Sequence, residues 1–237
     1  ITLTDLGCFI PIFKKATKPL SFHFTFSGTG TSLKIDSMEV ASYRSHLLLQ
    51  GNGSLRNWQS APHWAANIKR FSLDTDGIKF ITDIFSRHIN LPPVISRLGN
   101  IEYKGEMGGY GNDISAKGVL TTDAGIAALA FGKHNNKFSA RIETEEFKLG
   151  KVLENDKFGT ISTQIDISGR IPVNNDIYIE AAGDISKFEY NSYAYKNISV
   201  DGVFEGNAFD GKLTVNDPNA IVSMAGKFDF LSKHPYA

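Results

Sequence analysis

The sequence predicts an all-β protein built as an antiparallel meander. Apolar residues recur at every second position along most of the chain, and Gly, Asn, Asp and Pro clusters separate these runs. Period-two alternation is what a strand with one buried face requires, because successive side chains leave opposite sides of the pleat. Runs joined by such short turns must be antiparallel, since a parallel crossover needs about a dozen residues or more.

In chain order, Phe22, Phe24 and Phe26 point one way while Ser21, His23 and Thr25 point the other. Leu33 and Ile35 alternate with Lys34 and Asp36, and Ile177, Ile179 and Ala181 alternate with Tyr178 and Glu180. The last third is the clearest. Ile198, Val200, Gly202 and Phe204 share a face, then Phe209, Gly211, Leu213 and Val215, then Val222, Met224, Gly226, Phe228 and Phe230. Ser199, Asp201, Asp210, Lys212, Thr214, Ser223 and Lys227 oppose them. Gly206-Asn207 and Asn216-Asp217-Pro218-Asn219 have the composition of tight turns. Gly169, Gly183, Gly202, Gly211 and Gly226 lie inside the runs, where a glycine marks a bulge, a bend or the close approach of another group. A tightly curved sheet would use them too.

Short helices interrupt the strands at residues 76–99 and 148–155. Asp76 is placed to cap a segment whose Ile78, Ile81, Ile84, Phe85 and His88 fall on one helical face. In Leu91-Pro92-Pro93-Val94-Ile95-Ser96-Arg97-Leu98-Gly99, prolines stand in the first turn and a glycine just past the last, which reads as one short helix. A third runs from Leu149 to about Glu154. Their expected role is to cover the apolar face of the sheet or plug its end.

Composition narrows the function classes. With 25 basic and 25 acidic residues the net charge is zero, which argues against nucleic acid, whose phosphates call for clustered Lys and Arg. The single cysteine, Cys8, forms no intrachain disulfide, so the chain is no disulfide scaffold; a cytosolic or a bacterial periplasmic home fits. No apolar run approaches the roughly 20 residues of a spanning helix, and no leader pattern is visible. The opening Ile1-Thr2-Leu3-Thr4 alternates like a strand already under way, and the expectation is an excised fragment: one β segment over residues 1–237 with a helical interlude at about 76–99.

The sequence predicts no enzyme, no metal site and no cofactor. The six histidines (His23, His46, His63, His88, His134 and His234) include no pair at metal-ligand spacing. Gly28-Thr29-Gly30 lacks the third glycine of a dinucleotide loop and joins two strands, and Gly132-Lys133 is followed by His134 rather than Ser or Thr. Asp74-Thr75-Asp76-Gly77 lacks the further oxygen ligands of a calcium loop and reads as a turn with a helix cap. Glu143, Glu145 and Glu146 flank the strand Phe138-Ala140-Ile142 and read as its solvated face, and no Gly-x-Ser-x-Gly occurs. Cys8 sits in an apolar neighbourhood that favours an inert thiol. Tyr190, Tyr193 and Tyr195, with Phe188, gather across a turn at Asn191-Ser192. Cross-strand aromatic pairing explains them, but such rings also serve as sugar platforms, so a carbohydrate-binding β-sandwich is the alternative reading.

Several stretches resemble the periplasmic region of the TamB family of Bacteroidetes-type bacteria, inner-membrane components of the translocation and assembly module within the AsmA-like superfamily. They are Leu98-Gly99-Asn100-Ile101-Glu102-Tyr103-Lys104-Gly105 after Pro92-Pro93, and Gly111-Asn112-Asp113-Ile114 through Leu120-Thr121-Thr122-Asp123-Ala124-Gly125. Phe147-Lys148-Leu149-Gly150-Lys151-Val152-Leu153 into Phe158-Gly159-Thr160-Ile161 follows, then Tyr195-Lys196-Asn197-Ile198 to Asp210-Gly211-Lys212-Leu213, and Asp217-Pro218-Asn219. The resemblance spans about residues 20 to 230, and its motifs are structural rather than catalytic. TamB-like chains are far longer and begin with a membrane anchor.

The resemblance implies an elongated, curved, U-shaped antiparallel sheet with an apolar groove. It further implies a periplasmic segment of an inner-membrane-anchored protein, phospholipid acyl chains as cargo bound for the outer membrane or else a role in outer-membrane protein assembly, and an outer-membrane assembly β-barrel as a partner. Phe22, Phe24, Phe26, Ile198, Val200, Phe204, Leu213, Val215, Met224 and Phe228 would line the groove. About fifteen strands fit the length, more than an open sheet usually reaches without curling or splitting. Curled groove, barrel and two-sheet sandwich all remain options, since each buries one face.

Overall fold

The computed structural model of the chain describes residues 20–42, 46–57, 60–79, 93–170 and 178–229. They hold thirteen strands: β1 (Ser21–Thr29), β2 (Ser32–Ser42), β3 (Leu47–Arg56), β4 (His63–Leu73), β5 (Ile101–Tyr110), β6 (Asp113–Thr122), β7 (Gly125–His134), β8 (Lys137–Lys148), β9 (Phe158–Arg170), β10 (Tyr178–Tyr190), β11 (Tyr193–Glu205), β12 (Ala208–Asp217) and β13 (Ala220–Asp229). Their order in one sheet is their order in the chain, with β1 and β13 at its two ends. This is the all-β antiparallel meander that the alternation predicts. The strands run from 9 to 13 residues, longer than the usual five or six.

The chain gathers into two compact units, residues 1–111 with 118–123, and residues 112–117 with 124–237; β6 contributes to both. Each is described on its own.

In the first unit, Phe22, Phe24 and Phe26 stand opposite Val40, Met38 and Ile35. Those three stand opposite Leu49, Gly51 and Gly53 of β3, which face Phe71, Ile68 and Ala66 of β4. Directly opposed residues of an antiparallel pair share a face, so one apolar face runs over β1 to β4 and on to Tyr103, Gly105 and Met107 of β5. Register shifts fall between Ile35 and Met38, Gln50 and Gly51, and Ile68 and Phe71. Bulges on neighbouring strands bend the sheet locally and add twist.

Short helices close the end of these strands. Residues 75–79 form α1 and Pro93–Arg97 form α2. The cap of α1 is Asp74, not Asp76: its Oδ1 accepts the backbone N–H groups of Asp76 and Gly77, each at 3.0 Å. The capping carboxylate must precede the N–H groups it satisfies, and Asp76 is already inside the first turn. Ile81, Ile84, Phe85 and His88 lie outside the described residues, as do Leu91 and Pro92. Gly99, with φ +72°, ends α2 as its position predicts. Ile78 of α1 is buried with Leu73 and Ile101, and Ile95, Leu98, Phe71 and Leu120 pack on that trio. The helices are plugs.

In the second unit α3 (Leu149–Leu153) links β8 to β9, buries Val152 and ends on Glu154 in the left-handed region at φ 52°. Gly150 is required there, because a Cβ on it would run into the Phe158 carbonyl. The turn between β10 and β11 places both Asn191 and Ser192 at positive φ, 48° and 64°, the conformation whose twist suits a two-residue hairpin. Gly206-Asn207 turns between β11 and β12 as predicted. The turn predicted over four residues after β12 narrows to Pro218-Asn219, because Asn216 and Asp217 still pair with Ile221 and Ala220.

Three of the strand-interior glycines are seats for aromatic rings. Gly202 and Gly211 oppose one another, and Phe209 lies over both: a Cβ on Gly202 would come within 2.5 Å of its Cε2, and one on Gly211 within 2.9 Å of its Cζ. Gly169 lies under Phe138: a Cβ on it would come within 3.0 Å of the ring's Cε1. The register shifts of this unit sit elsewhere, between Thr144 and Phe147, Ile185 and Lys187, and Phe188 and Tyr190. Of the options that a strand glycine leaves open, close approach is the one realised at these three.

Candidate functional site: apolar sheet faces

The second unit carries the longer apolar face. Across β7 to β13 the register sets Leu129, Ile142, Ile165, Gly183, Val200, Leu213 and Met224 opposite one another in a single row. A neighbouring row runs Phe138, Gly169, Ile179, Phe204, Phe209, Phe228, and Ala140, Ile167, Ala181, Gly202, Gly211 and Gly226 lie between the two. Ile198, Val215 and Val222 begin a further row.

Seven of the residues singled out from the sequence therefore share one face: Ile198, Val200, Phe204, Leu213, Val215, Met224 and Phe228. Phe22, Phe24 and Phe26 share the face of the first unit. Sequence reasoning missed Leu129, Ile142 and Ile165 as members, although the same alternation runs through their strands; their signal was diluted by Thr144, Thr163 and Gly169 at the equivalent positions.

This face is covered only in part. Ile198 and Phe209 are buried, Val200, Phe204, Leu213 and Phe228 are half-buried, and Phe131 and Met224 are exposed. In the first unit Phe26 is 65% exposed. A sandwich core would bury these positions, and the described strands form no second layer. The opposite face is polar. Arg141 grips Asp166 with two 2.7 Å bonds, which raises the guanidinium and holds the carboxyl below its ordinary range. Those two residues, with Ser139, Ser168, Glu180 and Asp201, supply the charged and polar lining of a depression of about 670 Å³.

The tyrosine cluster has its own geometry. Tyr193 and Tyr195 cross at 70° with centroids 4.7 Å apart, whereas Phe188 and Tyr190 stack at 6°. The Tyr193 hydroxyl donates to Asp217 at 2.6 Å and accepts from Asn219. The edge-to-face pair with its committed hydroxyl packs strand ends together, which is the cross-strand aromatic pairing that the sequence suggests.

Beside it, Glu189 takes an ion pair from Lys187 at 2.9 Å and the Thr160 N–H at 2.8 Å, which pull its carboxyl down to about 2. A carboxylate depressed in the fold stabilises it above the unfolded value and loses that contribution as the folded value is approached. Stability should therefore fall between about pH 4.5 and about 2, and Glu189→Gln should flatten that part of a urea-stability profile. No group of three or more His, Cys, Asp or Glu among the described residues is placed to hold a metal.

Comparison with family models, with curated proteins and with solved structures finds no match for this chain.

Proposed function

We propose that this chain is a non-enzymatic periplasmic segment of a TamB-like envelope protein, whose one-sided sheet holds phospholipid acyl chains on their way to the outer membrane. An inner-membrane anchor elsewhere in the protein and a β-barrel acceptor in the outer membrane belong to the same reading. The observation that supports it is the row from Leu129 to Met224: six apolar side chains aligned across seven strands, with Gly183 at the middle one, and left partly open to water. Contiguous exposed apolar surface marks a place where something else binds. A hydrocarbon chain lying across such a row gains about 0.8 kcal/mol for each methylene it buries, and it asks for no hydrogen-bond partner. The charged opposite face keeps the sheet wetted on its other side.

The test uses neighbouring positions on opposite faces. Leu213→Asp places a charge on the apolar face, where water can still reach it, so the protein should stay folded while lipid recovered by mass spectrometry from the purified chain falls sharply. Thr214→Asp, one residue along, reverses the face and should leave lipid recovery unchanged. A folded Leu213→Asp protein that carries as much lipid as its parent would sink this reading.

A further inference from the structure

The apolar face of the second unit continues past a line of bulges. Strict alternation from Thr144 and Ile185 would put Glu146 of β8 and Lys187 of β10 on that face. An extra residue on each strand prevents it. Thr144 and Ile185 both stand opposite Thr163, yet Phe147 and Phe188 both stand opposite Ile161, so three steps along β8 and β10 match two along β9. On β11 Asn197, at φ 53°, supplies the matching step, with Ile198 opposite Ile185 and Tyr195 opposite Phe188. One extra residue reverses the face of every residue after it. Phe147, Ile161, Phe188 and Tyr195 therefore form one more row on the apolar face, while Lys187 meets Glu146 at 3.0 Å and Glu189 at 2.9 Å on the polar one. The Phe147 ring lies on the expected side: a Cβ on Gly125, two residues before Ala127 of the same face, would come within 3.0 Å of it.

This end of the face differs from the other. Phe158 stands opposite Tyr190, with ring centroids 5.3 Å apart, and Tyr190 stands opposite Tyr193. The Tyr193 hydroxyl is committed to Asp217, whereas those of Tyr190 and Tyr195 have no hydrogen-bond partner among the described residues. At the far end of the same strands Phe138, Phe204 and Phe209 close the face without a hydroxyl. A tyrosine with a packed ring and a free hydroxyl suits a boundary that is apolar on one side and wet on the other. Tyr195 and Phe204 both lie on β11, roughly 30 Å apart at the usual rise of a strand, which is ample for an acyl chain that fills half of a bilayer core of similar thickness. Given that acyl chains occupy this face, we propose that Tyr190 and Tyr195 receive the polar end of the phospholipid, their hydroxyls donating to the ester carbonyl where the chain begins.

The double variant Tyr190→Phe, Tyr195→Phe keeps both rings and removes both hydroxyls. The probes are lauroyl lysophosphatidylcholine and its ether analogue, which has the same chain length and head group but no ester carbonyl. Each is titrated into the protein below its micelle concentration by isothermal calorimetry. The parent should bind the ester about two- to tenfold more tightly than the ether, the usual net effect of one hydrogen bond. The double variant, with Tm close to that of the parent, should bind the two alike, at the parent's affinity for the ether. A parent that binds neither lipid would take down the acyl-chain reading, and this proposal with it. A parent that binds both alike, or a double variant that still prefers the ester, would overturn the proposal and leave the acyl-chain reading standing.

Discussion

Phe209→Ala is expected to destabilise the protein by about 3–5 kcal/mol, the range for removing a buried phenylalanine. Phe209 is 6% exposed, one of few apolar side chains buried among the described residues. Its ring fills the space left by Gly202 and Gly211, and it contacts Phe204 at 4.9 Å and Phe228 at 6.5 Å between centroids. Alanine would leave the two glycines bare and both neighbouring rings unsupported. A single-layer sheet has no opposing sheet to collapse into that void, which puts the cost toward the upper end of the range. Phe131→Ala is the control: that side chain is 40% exposed on the same face, and its loss should cost well under half as much. Urea unfolding of both variants measures the difference. Equal losses would show that Phe209 lines an open surface like its neighbours and does not anchor the strands.

The meander was legible because period-two alternation and two-residue turns are local signals. Ile198 to Phe204 and Phe209 to Val215 state their faces within seven residues, and Gly206-Asn207 states the reversal between them. The site was legible to the same depth. Sequence gives the parity of each strand, but which residues align across strands depends on the register, and Leu129 joins Met224 in one row only through six successive pairings. The cap of α1 was misplaced by two residues because Asp74 and Asp76 are chemically equivalent and only the path of the backbone chooses between them. The role of the glycines was illegible for a different reason: a strand-interior glycine states that a side chain is absent and leaves open what occupies its place, here the rings of Phe138 and Phe209.

Asp217 sets the second large expectation. In the sequence it belongs to a turn; in the fold it ends β12, is 2% exposed, and holds three elements together. Its Oδ1 accepts the Tyr193 hydroxyl at 2.6 Å and the Asn219 N–H at 2.9 Å, and its Oδ2 accepts the Lys196 N–H at 3.0 Å. All three donors point at one carboxylate, and hydrogen bonds to an ionised acceptor are roughly twice as strong as neutral ones. The Tyr193 hydroxyl first, and then the backbone donors, hold its carboxyl below the ordinary aspartate range. Asp217→Asn has nearly the same shape but replaces one oxygen by an NH2 group, which must then face a donor. A buried donor left without an acceptor costs the desolvation of that group. The variant should therefore lose Tm by several degrees at neutral pH, more than Asn216→Ala at the exposed neighbouring position. The pH dependence separates charge from shape. Because the folded value is depressed, the contribution of Asp217 is complete above the unfolded value and declines as pH falls through the folded one. The gap between parent and Asp217→Asn should accordingly be widest near neutrality and narrow as the solution is acidified below about pH 4, the ordinary aspartate value. A gap that stays constant down to the acid limit would mean that the carboxylate contributes packing alone.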